Sequence, residues 1–184
     1  MQDPAPNIII MMGVMSAGKT YVGERLARYL SYGFYECDEA HSPANVAKMR
    51  AGIPLNDADR KPWLATMAHK IREWDANDAS VVMTCPAHKK TYRDTLRVAH
   101  VQFVYLNPPR ITLDKFVASR THKYMNPKLL DSQLAIMETP DEDENIITVI
   151  NDRPVNAIIS EIVQKLANRY VLTCPLPQEV TVAS

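Results

Sequence analysis

The sequence predicts a three-layer α/β/α domain built on a five-stranded, mainly parallel sheet. Three observations predict it. Short apolar runs alternate with segments of helical period along most of the chain. The first run, Ile8 to Met12, leads into Gly13-Val14-Met15-Ser16-Ala17-Gly18-Lys19-Thr20, which fits the phosphate-binding pattern G-x-x-x-x-G-K-[ST]. An amphipathic stretch with Val22, Leu26 and Leu30 follows, so the glycine loop stands between a buried strand and a helix.

Each element then has its own justification. The first strand is read as about 7–12 and the first helix as about 18–32, with Gly33 suited to its C′ position. A second strand, 34–37, delivers Asp38 to its carboxyl end. His41 to Met49 reads as a short helix with Pro43 in its first turn. Asn56-Asp57-Ala58-Asp59 is capping chemistry for a helix whose Trp63, Leu64, Met67, Ile71 and Trp74 form a core stripe. Ser80 to Cys85 and Val101 to Leu106 are further strands, with a helix between them bearing Lys89, Arg93 and Arg97. A helix from Arg110 to Ser119, a basic stretch to Met125 and a helix begun by Asn126-Pro127 come next. Pro140 to Glu144 reads as a solvated acidic loop, Ile146 to Ile150 as the fifth strand and Val155 to Leu166 as the last helix. These boundaries give one domain over 1–169, a lid over about 113–139 and a tail over 170–184, expected to be extended or partly disordered.

Bulk properties exclude several classes. The chain has 184 residues, 46% apolar and 23% charged, as in soluble globular proteins. Its formal net charge of zero argues against a general nucleic-acid or membrane-surface binder. Cys37, Cys85 and Cys174 lie far apart with no C-x-x-C, which reads as reduced thiols and not as a zinc site or disulfide framework. No apolar run approaches membrane-spanning length, and no basic segment precedes Ile8, so the expected compartment is the cytoplasm.

The chemistry follows from the loop. Its glycines let backbone N–H groups approach a phosphate chain, and the helix amino terminus adds partial positive charge. Lys19 would reach the β- and γ-phosphates, and Thr20 would hold Mg²⁺ through its hydroxyl. Asp38 sits where open α/β sheets place their ligands and is either a turn aspartate or the group that orients an acceptor hydroxyl and takes its proton. Lys89, Arg93 and Arg97, at i, i+4 and i+8, are either a solvated face or an anion site; their place after a strand end favours the anion. The basic stretch from Arg120 through His122 and Lys123 reads as a mobile lid. Together these suit phosphoryl transfer to a small acidic acceptor, with a cluster such as Lys89 and Arg93 on its anionic end. The residues alone leave the acceptor open.

Three stretches narrow it. His41 to Met49 with Gly52 to Leu64, Cys85 to Asp94, and Leu129 to Gln133 with Glu138-Thr139-Pro140 closely resemble the gluconate kinase (gluconokinase) family, in order and with compatible spacing over about 7–166. The resemblance implies a P-loop kinase fold like that of shikimate and nucleoside monophosphate kinases, with a small helical lid. It implies ATP-dependent phosphorylation of D-gluconate at the 6-hydroxyl, Mg²⁺, and often a homodimer. Gly13, Val14, Met15, Ser16, Ala17, Gly18, Lys19 and Thr20 match the family's phosphate loop, and Asp38 its acceptor-side carboxylate. His41, Arg60, Lys89 and Arg93 match positions around its sugar-acid pocket, and Arg120 a lid arginine; Asp152 and Pro154 fall in the loop that passes near the adenine. The chain departs from the usual pattern at Glu36-Cys37-Asp38, where a glycine before the aspartate is usual. It also has Pro86 for serine, His88 for leucine and Phe116 for a lid arginine. Another sugar acid, or a shikimate-like acid, is the alternative acceptor. Retention of Lys19, Thr20, Asp38 and Arg120 together argues against a nucleotide-binding protein that has lost catalysis.

Overall fold

The structure, a computed structural model, describes residues 3–118, 126 and 128–172. In chain order its elements are β1 (Asp3–Pro4), β2 (Ile8–Met12), α1 (Lys19–Leu30), β3 (Gly33–Glu36), α2 (Pro43–Arg50), α3 (Asp57–Ala76), β4 (Val81–Thr84), α4 (Lys90–Leu96), β5 (Val101–Leu106), α5 (Arg110–Ala118), α6 (Leu129–Ile136), β6 (Ile147–Val149), α7 (Val155–Ala167) and β7 (Tyr170–Val171). Among the described residues no helix is long and apolar enough to cross a membrane.

β3, β4, β2, β5 and β6 form one sheet in that order, and every neighbouring pair is parallel. The expected α/β/α architecture is therefore present. All five residues of β2 are buried because helices cover both faces of the sheet, which is why Ile8 to Met12 shows no polar alternation. On one face Ile9, Met11, Val82, Val104 and Ile147 pack with Val22, Leu26, Ile158 and Ile162 of α1 and α7. On the other, Ile8, Ile10, Met83 and Phe103 pack with Trp63, Met67 and Ile71 of α3 and with Leu96 of α4. From β2 the chain first builds toward β3 on one side, then toward β5 and β6 on the other. The order reverses at the carboxyl end of β2, where doubly wound sheets open a ligand crevice.

Several local expectations hold. Asn56 and Asp59 form a reciprocal capping box at the start of α3: Asp59 N donates to Asn56 Oδ1 at 2.8 Å and Asn56 N to Asp59 Oδ2 at 3.0 Å. Ser42 caps α2, accepting from Asn45 N at 3.2 Å, with Pro43 at the first helical position.

Others need correction. Asn126 lies a turn ahead of α6; its side chain accepts from Lys128 N at 3.0 Å, and the helix begins at Leu129. Tyr170 and Val171, assigned to the tail, pair in parallel with Asp3 and Pro4 as a separate two-stranded sheet. The acidic loop before β6 is not wholly solvated. Glu144 is 4% exposed and grips Arg93 in a bidentate ion pair, with both N···O distances 2.6 Å. Residues 119–125 and 127, with Arg120, His122 and Lys123, lie outside the described residues, as do 173–184 with Cys174.

Candidate active site

The phosphate loop joins β2 to α1 at the switch point. Gly13 has φ +140°, and a Cβ there would stand 2.6 Å from the Leu106 carbonyl oxygen of β5. Gly18 has φ +94°, and its Cβ would stand 2.3 Å from Asn151 Nδ2. Both positions therefore exclude side chains by backbone conformation and by space. Asn151 donates to the Ala17 carbonyl at 2.8 Å and so ties the loop before α7, which carries Asp152 and Pro154, to the phosphate loop. Asp152 itself faces solvent beside Arg153. On the opposite side Gln133 of α6 accepts from Met15 N at 2.7 Å.

Lys19 is buried and donates to the Val14 carbonyl at 2.9 Å, folded along its own loop. The Ser16 hydroxyl is buried and has no hydrogen-bond partner among the described residues. A buried donor left without a partner inside an amide-rich loop fits a loop that receives an anion. Thr20 donates to Glu36 Oε2 at 2.5 Å, and the Thr84 hydroxyl bonds the other oxygen of the same carboxylate. Glu36, Cys37 and Asp38 bring ligand atoms within 4.8 Å of one another. Burial and the neighbouring Cys85 push the Cys37 thiol well up, so it stays protonated and does not compete as a ligand. The hydroxyl and carboxylate oxygens that remain are the hard donor set Mg²⁺ prefers.

Asp38 lies on the tight turn Cys37–Ala40 that follows β3. Burial raises its pKa to about 6; the Lys19 ammonium opposes that shift and Glu36 adds to it. The turn is anchored from α3, since Trp63 Nε1 donates to the Cys37 carbonyl at 3.0 Å. The Trp63 ring stacks on His41, with centroids 4.4 Å apart and planes at 12°. Burial and the Arg60 cation lower the His41 pKa to about 4, so its Nε2, 3.9 Å from Asp38, forms no ion pair at neutral pH.

Next to this turn opens a cleft lined by His41, Arg60, Trp63, Pro86, His88 and Gln133, among others. Arg60 reaches it from α3, with its guanidinium bonded to the Leu55 carbonyl and 5.8 Å from the Tyr92 ring centroid. It forms no ion pair with any described residue.

Two predicted pocket residues are placed elsewhere. Lys89 lies outside the cleft lining and holds both oxygens of Asp57 at 2.8 and 2.9 Å. Arg93 is fully buried behind the wall. Besides Glu144 it bonds the Ala87, His88 and Glu138 carbonyls at 3.3, 3.2 and 3.1 Å, so it shapes the 86–89 loop from within. Arg97 also bonds the Glu144 carbonyl, at 2.8 Å. The anions that the three spaced cations face are thus the protein's own Asp57 and Glu144. The spacing argument identified a real electrostatic demand, which the protein's own carboxylates meet.

Sequence reasoning missed two positioning groups. Asn151 and Gln133 carry no local signal of such a role, because both act through contacts distant in sequence. Trp63 was read as core, which its burial supports, but it also walls the cleft.

The model of the shikimate kinase family matches residues 15–167. A probable gluconokinase of Dictyostelium discoideum is 42% identical over 145 residues, covering 74% of this chain and 72% of that protein. A gluconokinase of Gluconobacter oxydans is 38% identical over 161 residues, covering 86% and 90%. The crystal structure of a gluconokinase from Sinorhizobium meliloti superposes with a TM-score of 0.80 at 36% identity, covering 90% of this chain and 94% of that one. Family model, sequence relatives and solved structure agree over most of the chain: the protein is a kinase and belongs to the gluconokinase family.

Proposed function

We propose that the protein transfers the γ-phosphoryl group of ATP to the 6-hydroxyl of D-gluconate, giving 6-phospho-D-gluconate and ADP. The observation that carries this reading is Arg60, a cation without an ion-pair partner among the described residues, in a cleft that adjoins Asp38 and the phosphate loop. A planar guanidinium there suits a carboxylate, which it can hold by two parallel hydrogen bonds.

The remaining residues take roles by position. The loop from Gly13 to Thr20 binds the nucleotide's phosphates, and Lys19 neutralises charge on the transferring group. Thr20 and Glu36 would hold Mg²⁺, directly or through water, and Asp152 and Pro154 would pass near the adenine. Bound Mg²⁺ supplies charge neutralisation between the phosphates. Asp38 orients the acceptor hydroxyl and takes its proton; a carboxylate raised to about 6 is a stronger base than an ordinary aspartate and still ionised at neutral pH. His41, neutral and clamped on Trp63, offers a hydrogen bond to the sugar acid without competing for Asp38. Arg120 would add a second positive charge from the lid. Lys89 and Arg93 act indirectly, by holding the cleft wall.

A homodimer in the cytoplasm completes the proposal. The free, buried thiols of Cys37 and Cys85 suit a reducing compartment. Sedimentation and cell fractionation test these two points.

The activity test is coupled ADP release with Mg-ATP and D-gluconate, set beside shikimate, glucose and no acceptor. Turnover with gluconate alone supports the proposal. Equal turnover with glucose removes the carboxylate from recognition, and turnover with shikimate alone moves the acceptor to the alternative acid.

A further inference from the structure

His88 is 1% exposed and lines the acceptor cleft; the Gln133 side chain stands close enough to act on its ring, yet neither ring nitrogen meets a described residue in good hydrogen-bond geometry. A neutral imidazole carries one donor and one acceptor, and burying both unpaired is unfavourable. The surrounding structure nevertheless holds the residue firmly. Ala87 before it adopts φ +44°, a conformation that costs a non-glycine residue and persists only when neighbours enforce it. The His88 carbonyl accepts from Glu138 N at 2.9 Å and from Arg93 Nη1 at 3.2 Å. A fixed backbone with an unsatisfied side chain aimed into a cleft is the pattern of a ligand contact.

We propose that His88 is a specificity-determining residue that hydrogen-bonds a non-reacting hydroxyl of the acceptor, a contact that deepens the gluconate reading and rests on it. A hydroxyl both donates and accepts, so it matches either imidazole nitrogen. A carboxylate does not compete for this place. Burial, together with the Lys19 and Arg60 cations, keeps the ring neutral, whereas Arg60 offers a full charge across the same cleft. The division of labour is Arg60 for the acid group and His88 for the polyol chain.

The experiment compares the wild type with His88→Leu and His88→Gln, using D-gluconate and monodeoxy-gluconates that each lack one non-reacting hydroxyl. For His88→Leu, kcat/KM with gluconate falls about 10- to 100-fold while KM for ATP changes less than about threefold. One deoxy acceptor costs the wild type a similar factor and costs His88→Leu almost nothing; the others are penalised alike in both. His88→Gln, which keeps a donor and an acceptor, recovers part of the loss. The ligand-free His88→Leu protein melts higher than wild type, since an unpaired polar group has been removed. Unchanged kcat/KM and identical discrimination by His88→Leu overturn the proposal and leave a water-filled niche, and a lowered ligand-free melting temperature overturns it in favour of a packing role. Failure of the wild type to phosphorylate gluconate defeats the parent reading instead; it is seen before any variant is compared, and the melting comparison still decides on His88.

Discussion

Gln133 on α6 accepts a hydrogen bond from the backbone N–H of Met15 in the phosphate loop, 118 residues away in sequence, at 2.7 Å. Both groups are buried, so the bond ties α6 to the phosphate loop. Gln133 also lines the acceptor cleft beside His88. One side chain therefore touches the nucleotide side and the acceptor side of the site.

Replacing Gln133 with Leu leaves Met15 N–H without its acceptor in the empty protein. The ligand-free fold is expected to lose about 1–3 kcal/mol in denaturant melts. In the proposed binding mode a phosphate oxygen of ADP meets that N–H, so the ADP-induced rise in melting temperature is expected to be larger in the variant than in wild type. Equal increments would show that Met15 N–H does not meet the nucleotide.

With Asp38 in its proposed role as base, its titration is expected to set the acid limb of the rate profile. Its carboxyl is raised to about 6 by burial, and only the ionised form accepts the proton of the acceptor hydroxyl. kcat/KM for gluconate is expected to fall as pH drops through about 6. Asp38→Asn is expected to lower kcat about 10²- to 10⁴-fold with ATP affinity nearly unchanged. The raised pKa also means that folding favours the protonated form, so this group's stabilisation is present below its ordinary value of 3.8 and lost as pH rises through about 6. Asp38→Asn is therefore expected to melt higher than wild type at pH 8, and a lower melting temperature there would contradict the buried-base argument.

Arg60 and Lys89 separate recognition from surface charge. Arg60→Met is expected to raise KM for gluconate roughly 10- to 100-fold, the size of a lost charged hydrogen bond. Lys89→Met removes a cation that is already occupied by Asp57 and is expected to change that KM less than about threefold. Steady-state kinetics with both variants at saturating ATP makes the comparison; a larger effect at Lys89 than at Arg60 would reverse the assignment.

The Arg93–Glu144 pair holds the cleft wall from behind. Removing only one partner strands a buried charge, so Arg93→Met is expected to destabilise the fold by about 3–5 kcal/mol, and Arg93→Met with Glu144→Leu to recover much of it. The guanidinium holds the Glu144 carboxyl down at about 2, below its ordinary 4.5. Its contribution is present above pH 4.5 and lost as pH falls toward about 2. As pH falls through that window, wild type is expected to lose stability relative to the double variant, which has no such carboxylate to titrate.

Local pattern made much of this protein legible in its sequence. The apolar runs fixed the five strands, because a central parallel strand buried on both faces must be continuously apolar, as Ile8 to Met12 is. The glycine spacing marked the phosphate loop, and the Asn56–Asp59 capping box marked the start of α3, because both depend on neighbours within a few residues. Asp38 could be placed at a strand end for the same reason. Charge pairing depends on what the fold brings opposite, and there the sequence was silent. The spacing of Lys89 and Arg93 does not show that the fold sets Asp57 against one and Glu144, 51 residues on, against the other. His88, Gln133 and Asn151 take their meaning from contacts across the sheet's carboxyl edge, which also leave Arg60, among the residues matched to the pocket, without an ion-pair partner among the described residues. Periodicity reports which face of an element is buried, and only the tertiary structure decides which buried or charged group has been left for a ligand.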